Sequence, residues 1–426
     1  MSTSAGLPVA PPSAPSRRPS LLRTPWAVPV VVAVGVTAAF VGPPLLAAAG
    51  DAGLPDITPE QLAVQVAESE SVPLSGTVVY TARLGLPEIP FTDATGADPI
   101  ALLGGTSSIR VWSDGTERSR VALLGSMSEY SVVREGAEAW TYSSADNEVV
   151  HYALSPEDQA RYDALAAEAK EGRTPAVAGD LPTPEEAARA ALAHAEEFAT
   201  VTLDAETTVA GRPAYQLVVS PKSTGTLVAR IVVAVDAETM TPLRVQAWST
   251  QDSTTPALEV GFTDISFDKP DDAVLEFSAP AGAASRDVIV PIPEPSGTEM
   301  GALEASDGAL PTGVMVRGSG WETVTVLSGV DVAALVAGDP TGVTSLPGSE
   351  RVIGSQGAQD LVGEFMEDKA DGTSAHDIDP AALYDQLTTV VPEGRLLSST
   401  LLSVLVTNDG RVLVGSVPAE TLRAMA

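Results

Sequence analysis

The feature that most restricts this chain is a long succession of short β-prone runs whose polarity alternates every second residue. The first block reads "GTVVYTARL" (76–84), "SSIRVW" (107–112), "RSRVALLG" (118–125), "YSVVRE" (130–135), "EAWTYS" (138–143) and "EVVHYAL" (148–154). Turn chemistry such as "SDGTE", "EG" and "SADN" separates them. A second block holds "GRPAYQLVVSPK", "LVARIVVAVDAET", "TPLRVQAWST", "ALEVGFTDISF" and "AVLEFSAP". Side chains alternate between the two faces of a sheet, so about eleven antiparallel strands across 76–280 demand a cover for one face.

Three helix starts supply that cover. "TPEQ" at Thr58, "SPED" at Ser155 and "TPEE" at Thr183 each set a hydroxyl cap before a proline, with an acid or amide three residues on. They predict helices near 59–70, 156–170 and 184–198. The fold class expected is α+β: one large curved antiparallel half-barrel sheet covered by helices, followed by a smaller C-terminal α+β domain.

In "LRVQAW", Leu243, Val245 and Ala247 face one way and Arg244, Gln246 and Trp248 the other; "RSRVALLG" and "PAYQLVV" divide in the same manner. One face is thus apolar along many strands. Two readings stay open for it: a packed core, or an apolar pocket left by the small residues of "PEEAARAALAHAEEF" (184–198). The candidate cavity lining is Val78, Tyr80, Val121, Leu123, Trp140, Tyr142, Leu217, Val219, Val233, Val235 and Val245. Trp140 and Tyr142 share a face, but parity within one strand does not say which face that is.

Residues 281–312 lose the alternation and gain Pro, Gly and Ser, as a linker does. The expected division is a tail at 1–26, an apolar segment at 27–49, the half-barrel domain at 50–285, a linker at 286–312 and the small domain at 313–426. Within that small domain the sequence predicts strands in "GVMVRGSGWETVTVL", a helical run near 330–337 and a polar stretch at 338–379 with a strand at "RVIG". A helix near 380–389, the hairpin "GRLLSSTLLSVLVTNDGRVLVGSV" and a last helix opened by Pro418 complete it.

Residues 27–49, "AVPVVVAVGVTAAFVGPPLLAAA", carry one polar side chain, Thr37. At ~1.5 Å per residue a helix there spans about 34 Å, enough for a hydrocarbon core of ~30 Å. Arg17, Arg18 and Arg23 precede it and Asp51, Asp56 and Glu60 follow. The expectation is a single-pass protein of the cytoplasmic membrane with its C-terminal bulk outside the cytoplasm. The alternative is secretion after cleavage at the small residues of "LLAAAG".

Chemistry is sparse. The formal charge of −32 repels phosphate backbones, so nucleic acid is excluded as a partner. No cysteine exists for a disulfide, a thiolate metal site or a nucleophile. The three histidines, His151, His194 and His376, fall on a strand, a helix and the loop "SAHDID"; His376, Asp377 and Asp379 match no metal-ligand spacing. There is no G-x-S-x-G elbow, phosphate loop, H-E-x-x-H or EF-hand pattern. No catalytic residue, cofactor or metal is expected.

The stretches "LSGTVVYTARLGLP", "SIRVWSDGTERSRVALLG", "SVVREGAEAWTYSSADNEVVHY", "TVAGRPAYQLVVSPK", "IVVAVDAETMTPLRVQAW" and "VGFTDISFDKPDDAVLEFSAPAGA" resemble the actinobacterial branch of the lipoprotein-carrier (LolA-like) superfamily. The resemblance covers about residues 57–285 and implies an incompletely closed half-barrel able to hold acyl chains. "GSGWETVTV" and "GRVLVGSVPAETLRAMA" are similar to the C-terminal domain of RseB/MucB proteins, which restrain release of an envelope-stress sigma factor by binding its membrane anti-sigma factor. The partners implied are a lipid or lipoprotein acyl chain, and an anti-sigma factor or other membrane protein. A tethered chain departs from both groups, which are soluble after signal removal.

Overall fold

The computed structural model describes residues 53–87, 97, 99–170, 184–290, 313–336 and 380–426. The segment 27–49, the cap at Thr183, the loop bearing His376 and the expected strand at "RVIG" lie outside the described residues. Among the described residues no helix is long and apolar enough to cross a membrane.

Helix α1 (Pro59–Glu68) starts where its capping chemistry requires. The Thr58 hydroxyl accepts from the Gln61 amide at 3.1 Å, and the Gln61 side chain accepts from the Thr58 amide at 2.8 Å. Helix α2 (Pro156–Lys170) is capped by Ser155, whose hydroxyl accepts from the Asp158 amide at 3.1 Å. Helix α3 spans Pro184–Phe198.

Six strands run in meander order: β1 (Leu74–Ala82), β2 (Gly105–Ser113), β3 (Arg118–Leu124), β4 (Glu129–Glu135), β5 (Glu138–Ser143) and β6 (Glu148–Leu154). After α2 and α3 come β7 (Ala199–Val209), β8 (Arg212–Pro221), β9 (Val228–Asp236), β10 (Pro242–Ser249) and β11 (Leu258–Ser266). A helical turn, α4 (Asp272–Leu275), then leads to β12 (Ala284–Val290). The sheet has twelve strands in the order β12-β6-β5-β4-β3-β2-β1-β11-β10-β9-β8-β7. Strands β1 and β11 join the two meanders antiparallel, and β12 alone is parallel, on β6. The sheet stays open, with β7 and β12 at its edges, so it is a half-barrel rather than a closed one.

Three stretches differ from the sequence reading. "AVLEFSAP" does not continue the strands, because Asp271 accepts from the Ala273 amide at 3.0 Å and nucleates α4. The strand β7, "ATVTLDAETTV", is polar through its middle, as an edge strand with a bulge at Asp204–Thr207 tolerates. The expected linker begins later than Ala281, since "ASRDVIV" adds β12 with Val288 buried.

The C-terminal domain is a six-stranded sheet in the order β13-β14-β18-β17-β16-β15. Its strands are β13 (Val314–Arg317), β14 (Val324–Leu327), β15 (Thr389–Val391), β16 (Gly394–Ser398), β17 (Ser403–Thr407) and β18 (Val412–Gly415). Helices α5 (Val332–Val336), α6 (Pro380–Leu387) and α7 (Ala419–Met425) accompany them. Val324, Leu405, Leu413, Val417 and Leu422 are fully buried and form its core.

This domain is bonded to the large sheet through the backbone. The Leu227 amide donates to the Ser416 carbonyl at 2.7 Å, the Thr400 amide to the Leu84 carbonyl at 2.8 Å, and the Gly225 amide to Glu322 Oε1 at 2.9 Å. Trp321 enters the core of the large sheet beside Ala199, Val228, Ile231, Val245 and Ala247. The small domain thus covers one end of the apolar face.

Candidate functional site

Strand pairing decides which side chains share a face. Val78 stands opposite Ile109, Ile109 opposite Leu123, Val111 opposite Val121, and Val121 opposite Val132. On the other side of β1, Tyr80 pairs with Val260, which pairs with Val245, then Val233, then Leu217. Val78, Tyr80, Val121, Leu123, Leu217, Val219, Val233, Val235 and Val245 therefore lie on one continuous apolar face.

Trp140 and Tyr142 lie on the other. Their partners in β4 are Val133 and Ser131, one residue out of phase with Val132 and Tyr130. Trp140 is stacked between His151 (centroids 5.0 Å apart) and Phe277 (5.5 Å). His151 Nδ1 meets Asp287 at 2.9 Å and Nε2 meets Glu138 at 3.3 Å. The aromatic pair therefore belongs to the packing of β5, β6 and the 277–287 segment. Both side chains were expected to frame a cavity, and the register turns them away from the apolar face.

What covers the apolar face differs along its length. Over β8 and β9, α1 brings Leu62 against Tyr215 and Val235, with Leu217 and Val233 packed alongside. Over the far ends of β9 and β10, Trp321 and Leu401 close on Ile231, Val245 and Val219. Five of the expected lining residues are thus ordinary core. Helix α3 packs on α1 and β7.

Over β1 and β11, Leu74, Val78 and Phe262 are buried in a cluster with Leu243, and beside it, among the described residues, lies an open cavity of about 290 Å³. Its apolar walls are Val72, Leu74, Val78, Ile109, Val111, Trp112, Val121 and Val260. Val121 is 42% exposed and its cross-strand partner Val132 is 37% exposed, so the apolar surface continues beyond the cavity towards β4. Of the residues expected from sequence, Val78 and Val121 line it. Val72, Leu74, Ile109, Val111, Trp112 and Val260 were missed, although the alternation in "SSIRVW" marks Ile109 and Val111 as one face.

The "SDGTE" turn builds the cavity's lip. Asp114 accepts from the Thr116 amide (2.8 Å) and from the Arg118 amide and Nε (both 3.1 Å). Burial pushes the Asp114 carboxyl up, but these donors outweigh it and hold it below the usual carboxylate value. Gly115 takes φ +81°, and a Cβ there would lie 2.9 Å from Pro73 N and Ser71 O. Glycine lets this turn approach the 71–73 segment and shape the opening. Ser71, Ser113, Thr116, Arg118, Ser119 and Arg134 add polar groups at the margin. Among the described residues no group of three His, Asp or Glu side chains is placed to hold a metal.

No family model matches the chain, and no curated protein matches it. Solved structures similar to it include the MucA/MucB complex of Pseudomonas aeruginosa, at 14% identity over 85% of this chain and 94% of that one, with a TM-score of 0.36. MucB in complex with MucA(peri) matches at 15% identity over the same shares, with a TM-score of 0.37. A LolA superfamily protein from Nitrosomonas europaea matches at 11% identity over 52% of this chain and 99% of that one, with a TM-score of 0.20.

Proposed function

We propose that this is a non-enzymatic binding protein that holds an acyl chain of a lipid or lipoprotein in the cavity between β1, β2, β3 and β11. The observation that carries this is an apolar-walled cavity of about 290 Å³ that opens beside the exposed Val121–Val132 pair. Burying a methylene there is worth ~0.8 kcal/mol, so a chain of several methylenes binds without any directed polar contact. With residues 27–49 as a membrane tether or export signal, the cavity would open outside the cytoplasm.

The test is native mass spectrometry with lipid extraction, on protein purified from a membrane-containing host. A stoichiometric lipid is expected. Val121→Glu, at an exposed position, should fold normally and lose at least about tenfold in lipid affinity, because it places a carboxylate against the tail. Trp140→Ala, on the opposite face, should lower stability by about 1–3 kcal/mol through its two lost stacks and leave lipid affinity unchanged. An apo mass from the native protein, or Val121→Glu binding lipid as the parent does, would remove this reading.

A second reading, an RseB/MucB-like regulator that grips an anti-sigma factor, is favoured by the edges of the small sheet. Met315 on β13 and Val390 on β15 are 47% and 72% exposed on the two edge strands of this sheet among the described residues. Extended segments of a partner add to such edges. The double variant Met315→Lys, Val390→Lys should then change sigma-dependent transcription while its lipid content stays the same. Unaltered transcription would count against a regulatory role.

A further inference from the structure

The cavity is apolar in its floor and cationic on one side. Two arginines border it, Arg118 and Arg134. Arg118 is already satisfied: Nε donates to Asp114 at 3.1 Å and Nη2 to Asp272 at 2.5 Å. Arg134 donates from Nε to the Gly136 carbonyl at 3.2 Å, and among the described residues its terminal nitrogens meet no carboxylate. Of the two arginines that border the cavity, Arg134 alone meets no carboxylate among the described residues. Ser119, its cross-strand partner, also borders the cavity and adds a hydroxyl donor.

Building on the acyl-chain reading above, we infer that the occupant is a single-tailed amphiphile with an anionic head group, and that Arg134 binds that head. The tail lies on Val111, Val121 and Val78, and the head reaches the free face of the guanidinium. A planar fork of N–H donors matches a carboxylate or a phosphate bidentately, and a neutral glycerol head offers it only weaker single acceptors. A volume of about 290 Å³ sits at the small end of the ~300–1,000 Å³ of ligand pockets, which suits one tail rather than a bundle of them.

The experiment titrates the full chain with myristate, myristoyl lysophosphatidate and monomyristin, three probes with one tail and different heads. At least one anionic probe should bind about tenfold or more tightly than monomyristin, the advantage of a charge-assisted hydrogen bond. Arg134→Gln should remove that advantage and leave monomyristin affinity unaltered, while Arg134→Lys keeps part of it. The tighter of the two anions identifies a fatty-acid carboxylate or a lipid phosphate as the head. Equal binding of all three probes, or a preference that survives in Arg134→Gln, overturns the role of Arg134 and leaves the cavity reading standing. Failure of every probe to bind overturns both.

Discussion

Replacing Asp236 with alanine is expected to cost the folded state about 3–5 kcal/mol, the range for breaking a buried ion pair from one side. The carboxylate is 0% exposed at the end of β9. It accepts from Arg212 Nε at 2.5 Å and Nη2 at 3.0 Å, from the amides of Glu238 (3.1 Å) and Thr239 (2.7 Å), and from the Thr239 hydroxyl. Alanine would leave the Thr239 amide and hydroxyl and the Arg212 guanidinium without the buried carboxylate they bond. Arg212 would retain Glu238 at 2.8 Å, which keeps the loss towards the lower end. Asp236→Asn preserves the shape and part of the acceptor capacity, so it should cost less.

The same network sets an acid limit. Burial pushes the Asp236 carboxyl up, but Arg212 and Thr239 outweigh burial and the net shift is downward. A folded value below the unfolded ~3.9 means that its stabilisation is complete above that pH and is lost as pH falls through the folded value. Urea midpoints measured from neutral pH downward should therefore fall more steeply for the parent than for Asp236→Asn in that acid window. Parallel curves, or a loss under about 1 kcal/mol in Asp236→Ala, would show that the network contributes little.

Replacing Trp321 with alanine is the second large effect, expected at about 3–5 kcal/mol for a buried aromatic side chain. Trp321 is 7% exposed and joins two domains, packing with Phe198 and Leu401 against β9 and β10. Its loss should also uncouple the domains, so that one calorimetric transition separates into two and limited proteolysis releases the small domain. Gly320→Ala tests the contact independently. Gly320 takes φ +56°, and a Cβ there would lie 2.5 Å from the Phe198 ring, so the turn carrying Trp321 would have to shift. A single unmoved transition in both variants would mean that the hydrogen bonds at Ser416, Thr400 and Glu322 hold the domains together without the tryptophan.

Several features of the fold are legible in local sequence because their causes are local. Thr58 and Ser155 cap the helices that follow them, and β2 to β6 fall within two residues of the alternating runs. The failures have local signals that point the wrong way. "ATVTLDAETTV" is too polar to read as a strand, yet an edge strand needs only one paired side. "AVLEFSAP" alternates, yet Asp271 in front of it offers a helix cap.

The cavity shows the remaining boundary. Val78, Val121, Val233 and Val245 are equivalent in sequence, each a valine on the apolar phase of a strand. Alternation fixes that phase because successive side chains point to opposite faces, whatever the strand's neighbours. Which strands are neighbours, and at what register, is not encoded in any one strand. Pairing therefore had to place Trp140 and Tyr142 on the face opposite Val121. Cover is more remote still: Val233 and Val245 became core because α1 and Trp321 close over them, Val78 is buried in a cluster with Leu74, Leu243 and Phe262 beside the cavity, and Val121 stays 42% exposed at its rim. The sequence by itself thus determined the strands, the caps and the existence of an apolar face. Only the tertiary structure decided where that face is left open, since burial depends on elements distant in the chain.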